Sequence, residues 1–141
     1  MSAGERSIEA QVRARQEDGH FTVSGYVGRE EAIWTETIVQ ECGFLWDLGY
    51  RMTHAFFHFR GSSIEFEGPR GSVSFAAGDD FESIHARVGV ARFGGSIDEM
   101  PGARVGGILV MHGGDPLPGW YIERRVHEWA ETLRANIDLL R

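Results

Sequence analysis

The sequence predicts an α+β fold: an antiparallel meander of about four strands, flanked by two main helices, with the C-terminal helix packing on the sheet. Three observations predict it. Between Arg51 and Val90, apolar residues alternate with polar ones, the period of a strand with one wet face. On either side, Arg29–Leu48 and Trp120–Leu140 repeat apolar residues at steps of three and four, the period of a helix stripe. The strands also cluster together instead of alternating with helices, which separates this pattern from a parallel α/β fold. A chain of 141 residues, 42% hydrophobic and 25% charged, is expected to form a single domain over 1–141 and to bury a core without staples.

The elements follow in order. Glu5–Glu17 reads as a short amphipathic helix on Ile8 and Val12, four apart. Its stripe is thin, so 1–19 is expected to be a mobile arm or a loosely docked helix. His20–Val27 has weak strand character through Phe21, Val23 and Tyr26. In Arg29–Leu48, Glu30 and Glu31 fall in the first turn, where the helix dipole favours negative charge. Trp34, Ile38, Cys42 and Leu45 share one face. Gly43 costs about 1 kcal/mol inside a helix and marks a break or a close approach; Gly49 suits the cap after the helix end.

Arg51–Phe59 is an aromatic-rich strand. In Ser62–Glu67, Ile64 and Phe66 face one way and Ser63, Glu65 and Glu67 the other. Gly68-Pro69-Arg70-Gly71 is a turn with proline where its fixed φ fits. Val73 and Phe75 then point inward in Ser72–Phe75, and Gly78-Asp79-Asp80 turns the chain again. Ile84, Ala86, Val88 and Val90 alternate with His85, Arg87 and Gly89 as a fourth strand. Phe93–Gly107 reads as a glycine-rich loop, and Ile108–Met111 as a short apolar run, an edge strand at most. Trp120–Leu140 reads as one closing helix on Ile122, Val126, Trp129, Leu133, Ile137 and Leu140.

Composition excludes several functions. All 14 basic residues are arginine, so no phosphate-loop, Schiff-base or kinase-type lysine exists. A formal charge of −7 disfavours nucleic acid and anionic membranes and suits a basic protein partner. The single cysteine, Cys42, cannot form an internal disulfide or a multi-cysteine zinc site and is expected to be a small buried hydrophobe. Met1–Gly19 has no apolar signal segment and no stretch approaches the ~20 apolar residues of a membrane span, so the expected location is cytoplasmic.

No catalytic constellation is assembled in the sequence. His54 and His58 share a strand face, but four residues of strand span about 13 Å, too far for one metal ion. His20-Phe21-Thr22 is half of a paired His-x-Thr motif, and His85-Ala86-Arg87 lacks the hydroxyl of the other half. His127-Glu128 is not followed by the second histidine of a zinc-protease helix. The acids Asp79, Asp80, Glu82, Asp98 and Glu99 sit at turns without a calcium-loop pattern. No cofactor or metal is expected.

Two stretches carry a resemblance. Phe44-Leu45-Trp46-Asp47-Leu48-Gly49-Tyr50-Arg51, continuing through the Ile64–Phe66 and Val73–Phe75 hairpin, and Trp129-Ala130-Glu131-Thr132-Leu133-Arg134 with Asp138-Leu139-Leu140, resemble a loose group of small bacterial α+β proteins. Some of that group look like immunity proteins, which neutralise a partner toxin. The resemblance spans Glu30 to Leu140 and implies a shape and a binding role, with no catalytic residue to carry over.

The leading expectation is a non-enzymatic binding domain for a basic protein, of the immunity type, using Glu65, Glu67, Asp79, Asp80, Glu82 and Trp120. The rival is a small enzyme or ligand-binding domain with His54, His58 and His85 in a pocket between sheet and helix. These two are distinguished by whether the histidines converge. A third reading is a homodimer that pairs through an exposed strand edge.

Overall fold

The computed structural model describes residues 10, 12–16, 22–25, 28–58, 61–78, 81–103 and 117–141. Among them the fold is the expected α+β one, with a six-stranded sheet in the order β1 to β6. The strands are β1 (Thr22–Gly25), β2 (Arg51–Phe57), β3 (Ser62–Gly68), β4 (Gly71–Ala77), β5 (Ile84–Val90) and β6 (Phe93–Ser96). Strands β2 to β6 form the antiparallel meander, one strand longer than expected. Strand β1 adds to β2 in parallel, with Val23 opposite Ala55, so the segment with weak strand character joins the edge of the sheet.

The helices are α1 (Arg29–Glu41), the short α2 (Phe44–Asp47), α3 (Gly119–Ala135) and α4 (Ile137–Leu140). Helix α1 starts at Gly28, whose N–H donates to the Glu31 carboxylate at 3.1 Å, one half of a capping box. The chain breaks at Cys42-Gly43, as the glycine suggested, and α2 closes with Gly49 at φ +91°. Gly49 N–H bonds the Trp46 carbonyl and Tyr50 N–H the Leu45 carbonyl, the two bonds of a Schellman cap.

Two expectations are corrected. Phe93–Ser96 is strand β6, not loop, and Ile97–Glu99 follows as a 3₁₀ turn. Gly94 and Gly95 hide the strand from any side-chain pattern; the two-residue turn Ala91-Arg92, with Val90 opposite Phe93, sets the pairing instead. The closing helix is also two helices, broken at Asn136, whose side-chain amide donates to the Pro101 and Thr132 carbonyls. The run Ile108–Met111 lies outside the described residues.

One face of β3 to β5 is sealed. Ile64, Phe66, Val73, Phe75, Ala86 and Val88 are buried with Trp34, Ile38, Val126, Trp129 and Leu133 from α1 and α3. The only described parts of the N-terminal segment are docked: Val12 is fully buried. Gln16 accepts from Trp46 Nε1 at 3.2 Å and from Met52 N–H at 2.6 Å. Cys42 is buried too, and burial pushes its thiol up to about 12, so it packs as a hydrophobe. No helix among the described residues is long and apolar enough to cross a membrane.

Tyr50 sits flat against Gly68, and its hydroxyl donates to the Leu140 carbonyl at 2.8 Å, tying the C-terminal turn to the sheet. A β-carbon at Gly68 would run into the Tyr50 ring. Gly68→Ala is therefore expected to destabilise the fold by about 1–3 kcal/mol, an overpacking cost. A urea midpoint within error of the parent protein would refute this.

Candidate functional site

The opposite face of the sheet presents polar side chains. Period two puts His54, Phe56 and His58 on it from β2, Glu65 and Glu67 from β3, Ser72 and Ser74 from β4, and His85 and Arg87 from β5. Glu65, Glu67, His58, His85 and Arg87 are exposed. Glu65 lies directly opposite His54, and Glu67 opposite Arg51. Asp79 and Asp80 lie outside the described residues; Glu82 is exposed in the turn between β4 and β5.

Phe56 is the unexpected member. It is 39% exposed, and its cross-strand partner on β3 is Ser63. Its ring stacks between the two histidines: 6.2 Å from His54 and 6.1 Å from His58, with interplanar angles of 10° and 11°. The three rings make one ordered stripe along β2. Counting by two from His54 places Phe56 on the same face as the two histidines.

The histidines do not converge. His54 and His58 are at the two ends of the stripe, with Phe56 between them. His85 lies in the row Phe56, Ser63, Ala76, His85, three strands away, or about 14 Å at the usual strand spacing. Among the described residues, the layer between sheet and helices is filled by core side chains and holds none of His54, His58 and His85. Among the described residues, no three His, Cys, Asp or Glu side chains are placed to hold a metal ion.

Trp120, at the start of α3, is 58% exposed. Arg124 lies over its ring at 5.5 Å and over Tyr121 at 5.1 Å. Leu117, just before α3, donates its N–H to the Phe81 carbonyl. The loop entering α3 is thereby tied to the β4–β5 turn that carries Glu82. Phe56 lies one row from the Ser62–Ala77 end of the sheet, the end from which that turn projects.

Two polar clusters lie elsewhere. Arg125, only 5% exposed, is forked onto Asp98, with Nη2 at 2.8 and 2.6 Å from the two carboxylate oxygens, and reaches Glu128 at 3.0 Å. Burial works against the Arg125 charge, but the hydrogen bonds and charges of Asp98 and Glu128 outweigh it and raise its pKa. Asp98, expected to be a solvated turn acid, is instead the tie between the 3₁₀ turn and α3. That role needs a partner 27 residues away, which no local pattern reveals.

His127 bridges the helices: Nδ1 is 3.0 Å from Glu41 and Nε2 2.8 Å from Glu131. The bond to Glu41 raises its pKa, slight burial lowers it, and the charges of Glu41 and Glu131 add to the rise. A raised folded pKa means the stabilisation is complete below the unfolded value, about 6.5, and is lost as pH rises through the folded value. Half-exposed, the bridge is screened. A small fall in the urea midpoint is expected between pH 6 and 8, which His127→Gln abolishes; an unchanged pH profile in that variant would refute the assignment.

No family model matches the chain, and neither does any curated protein or solved structure.

Proposed function

We propose that this chain is a protein-binding domain that takes a basic partner on its open sheet face, in the manner of an immunity-type neutraliser. The observation that carries the reading is Phe56, exposed between two parallel histidine rings on the face that presents Glu65 and Glu67. An exposed, rigidly held aromatic ring is an anchor of the kind that supplies most binding energy in an interface. The Glu65 carboxylate, opposite His54 in the next row of this face, suits an arginine or lysine side chain, which can lie across the ring and pair with the acid at once.

The chain's net charge of −7 supports the same partner sign and implies fast, salt-sensitive association. Glu82 and Trp120 extend the contact candidates around the near end of the sheet. The absence of a catalytic motif in the sequence, and the resemblance to immunity proteins, favour binding over turnover. The rival small-enzyme reading asks His54, His58 and His85 to act on one point, which their spacing opposes.

Affinity capture with mass spectrometry from the source cell is the test. The parent protein is expected to recover a stoichiometric basic protein. Phe56→Ala is expected to weaken the complex by about 2 kcal/mol, roughly 30-fold, and Glu65→Arg with Glu67→Arg to abolish capture at low salt. Recovery of no stoichiometric partner, or of one indifferent to all three substitutions, would overturn the proposal.

A further inference from the structure

We propose that, when no other protein occupies it, the open sheet face pairs with the same face of a second copy of this chain, about a two-fold axis running along β4. The strand register places the charges for this. Glu65 on β3, Ser74 on β4 and Arg87 on β5 stand in one row across the face. Glu65 and Arg87 are both exposed. Among the described residues neither side chain has an ion-pair or hydrogen-bond partner; Glu65 accepts only at its backbone carbonyl, from Thr53. Nor do they meet each other: two strand spacings hold their backbones about 10 Å apart, with Ser74 between.

A two-fold axis along β4 exchanges the positions of β3 and β5 between two facing sheets. Glu65 of each copy then stands opposite Arg87 of the other, and the contact occurs twice, as in any isologous dimer. The neighbouring rows agree. Ser63 on β3 shares its row with Ala76 and His85, so a hydroxyl faces an imidazole. Glu67 shares its row with Ser72 and Gly89, so the second carboxylate faces a glycine. On the axis itself lie Ser72, Ser74 and Ala76, small enough to let the two sheets approach.

The position of the axis is selective. Along β3 it would set Glu65 against Glu65 and Glu67 against Glu67; along β5 it would set Arg87 against Arg87. A chain of charge −7 repels its copy at long range, so only an arrangement whose local contacts join opposite charges holds. The area suffices as well. Strands about 4.8 Å apart and about 20 Å long give β2 to β6 a face of roughly 450 Å² in projection. Two copies bury about twice that before side-chain relief is counted, near the ~1,000 Å² of a specific interface. The second copy and the basic partner proposed above exclude one another at Glu65, but self-pairing does not rest on that partner.

The test is sedimentation equilibrium of the full chain alone, at concentrations up to about 1 mM. The parent protein is expected to form a reversible dimer. Glu65→Arg and Arg87→Glu each change an exposed side chain that has no partner to lose, and each sets like charges against one another twice. Each is expected to weaken the dimer at least tenfold. Glu65→Arg combined with Arg87→Glu restores opposite charges at both contacts and is expected to return the affinity to within about threefold of the parent. No other protein is present, so the outcome is independent of whether a basic partner exists. A parent chain that stays monomeric at about 1 mM, a dimer that survives both single reversals, or a double variant no tighter than the singles would overturn the proposal.

Discussion

Replacing Trp34 with alanine is expected to lower the unfolding free energy by about 3–5 kcal/mol, a large part of the stability of a domain this size. Trp34 is fully buried at the junction of α1, α3 and the sheet. Its ring meets Phe75 at 6.5 Å, Phe81 at 5.8 Å and Trp129 at 6.1 Å, each edge-on. Each such pair adds about 0.5–1.5 kcal/mol beyond its buried area, and three partners on three elements cannot all collapse into the space. Trp34→Phe separates packing from polarity. The indole N–H has no hydrogen-bond partner among the described residues, so phenylalanine removes a donor that is unsatisfied there while keeping most contacts, and is expected to cost less than about 1.5 kcal/mol. Urea unfolding of both variants decides it. A loss under about 1 kcal/mol in Trp34→Ala would show that the ring is not the centre of the core.

The second large effect is expected at Asp98. Its carboxylate takes both oxygens' worth of bonds from Arg125 and accepts from Trp129 Nε1 at 3.1 Å. Asp98→Ala leaves a buried guanidinium with Glu128 alone and strands the indole N–H. A loss of about 2–4 kcal/mol is expected from those two unsatisfied groups. The cost lies in the uncompensated charge, not in the worth of the ion pair itself. Asp98→Ala combined with Arg125→Met is therefore expected to recover a good part of the loss, since an apolar side chain of similar length needs no partner. A double variant as unstable as the sum of two independent losses would contradict this account.

The legible part of the fold is that where one face of an element meets the core. Ile64, Phe66, Val73, Phe75, Ala86 and Val88 alternate with polar residues because the sheet has one wet side, and all are buried as the alternation implies. The break at Gly43 and the cap at Gly49 are equally local, since each depends on a backbone conformation within one turn. Strand β6 was not legible: its glycines have no side chains to show a period, and its place follows from hairpin geometry and β5. The open face was legible as polar at Glu65 and Glu67. The order within it was not: that Phe56 stacks between His54 and His58 depends on ring orientation, which spacing alone does not fix.

The residues alone determined the fold class, the two main helices, the sealed and open sheet faces and the exclusion of amine chemistry, because each rests on periodicity or composition. Tertiary structure alone decided which distant charges meet. Asp98 with Arg125 and Glu41 with His127 join residues from separate turns and helices. Electrostatic contacts act over a few ångströms of space whatever the separation along the chain. With lysine absent, the basic side chain at each cluster that has one is a planar guanidinium able to hold an oxyanion by paired bonds.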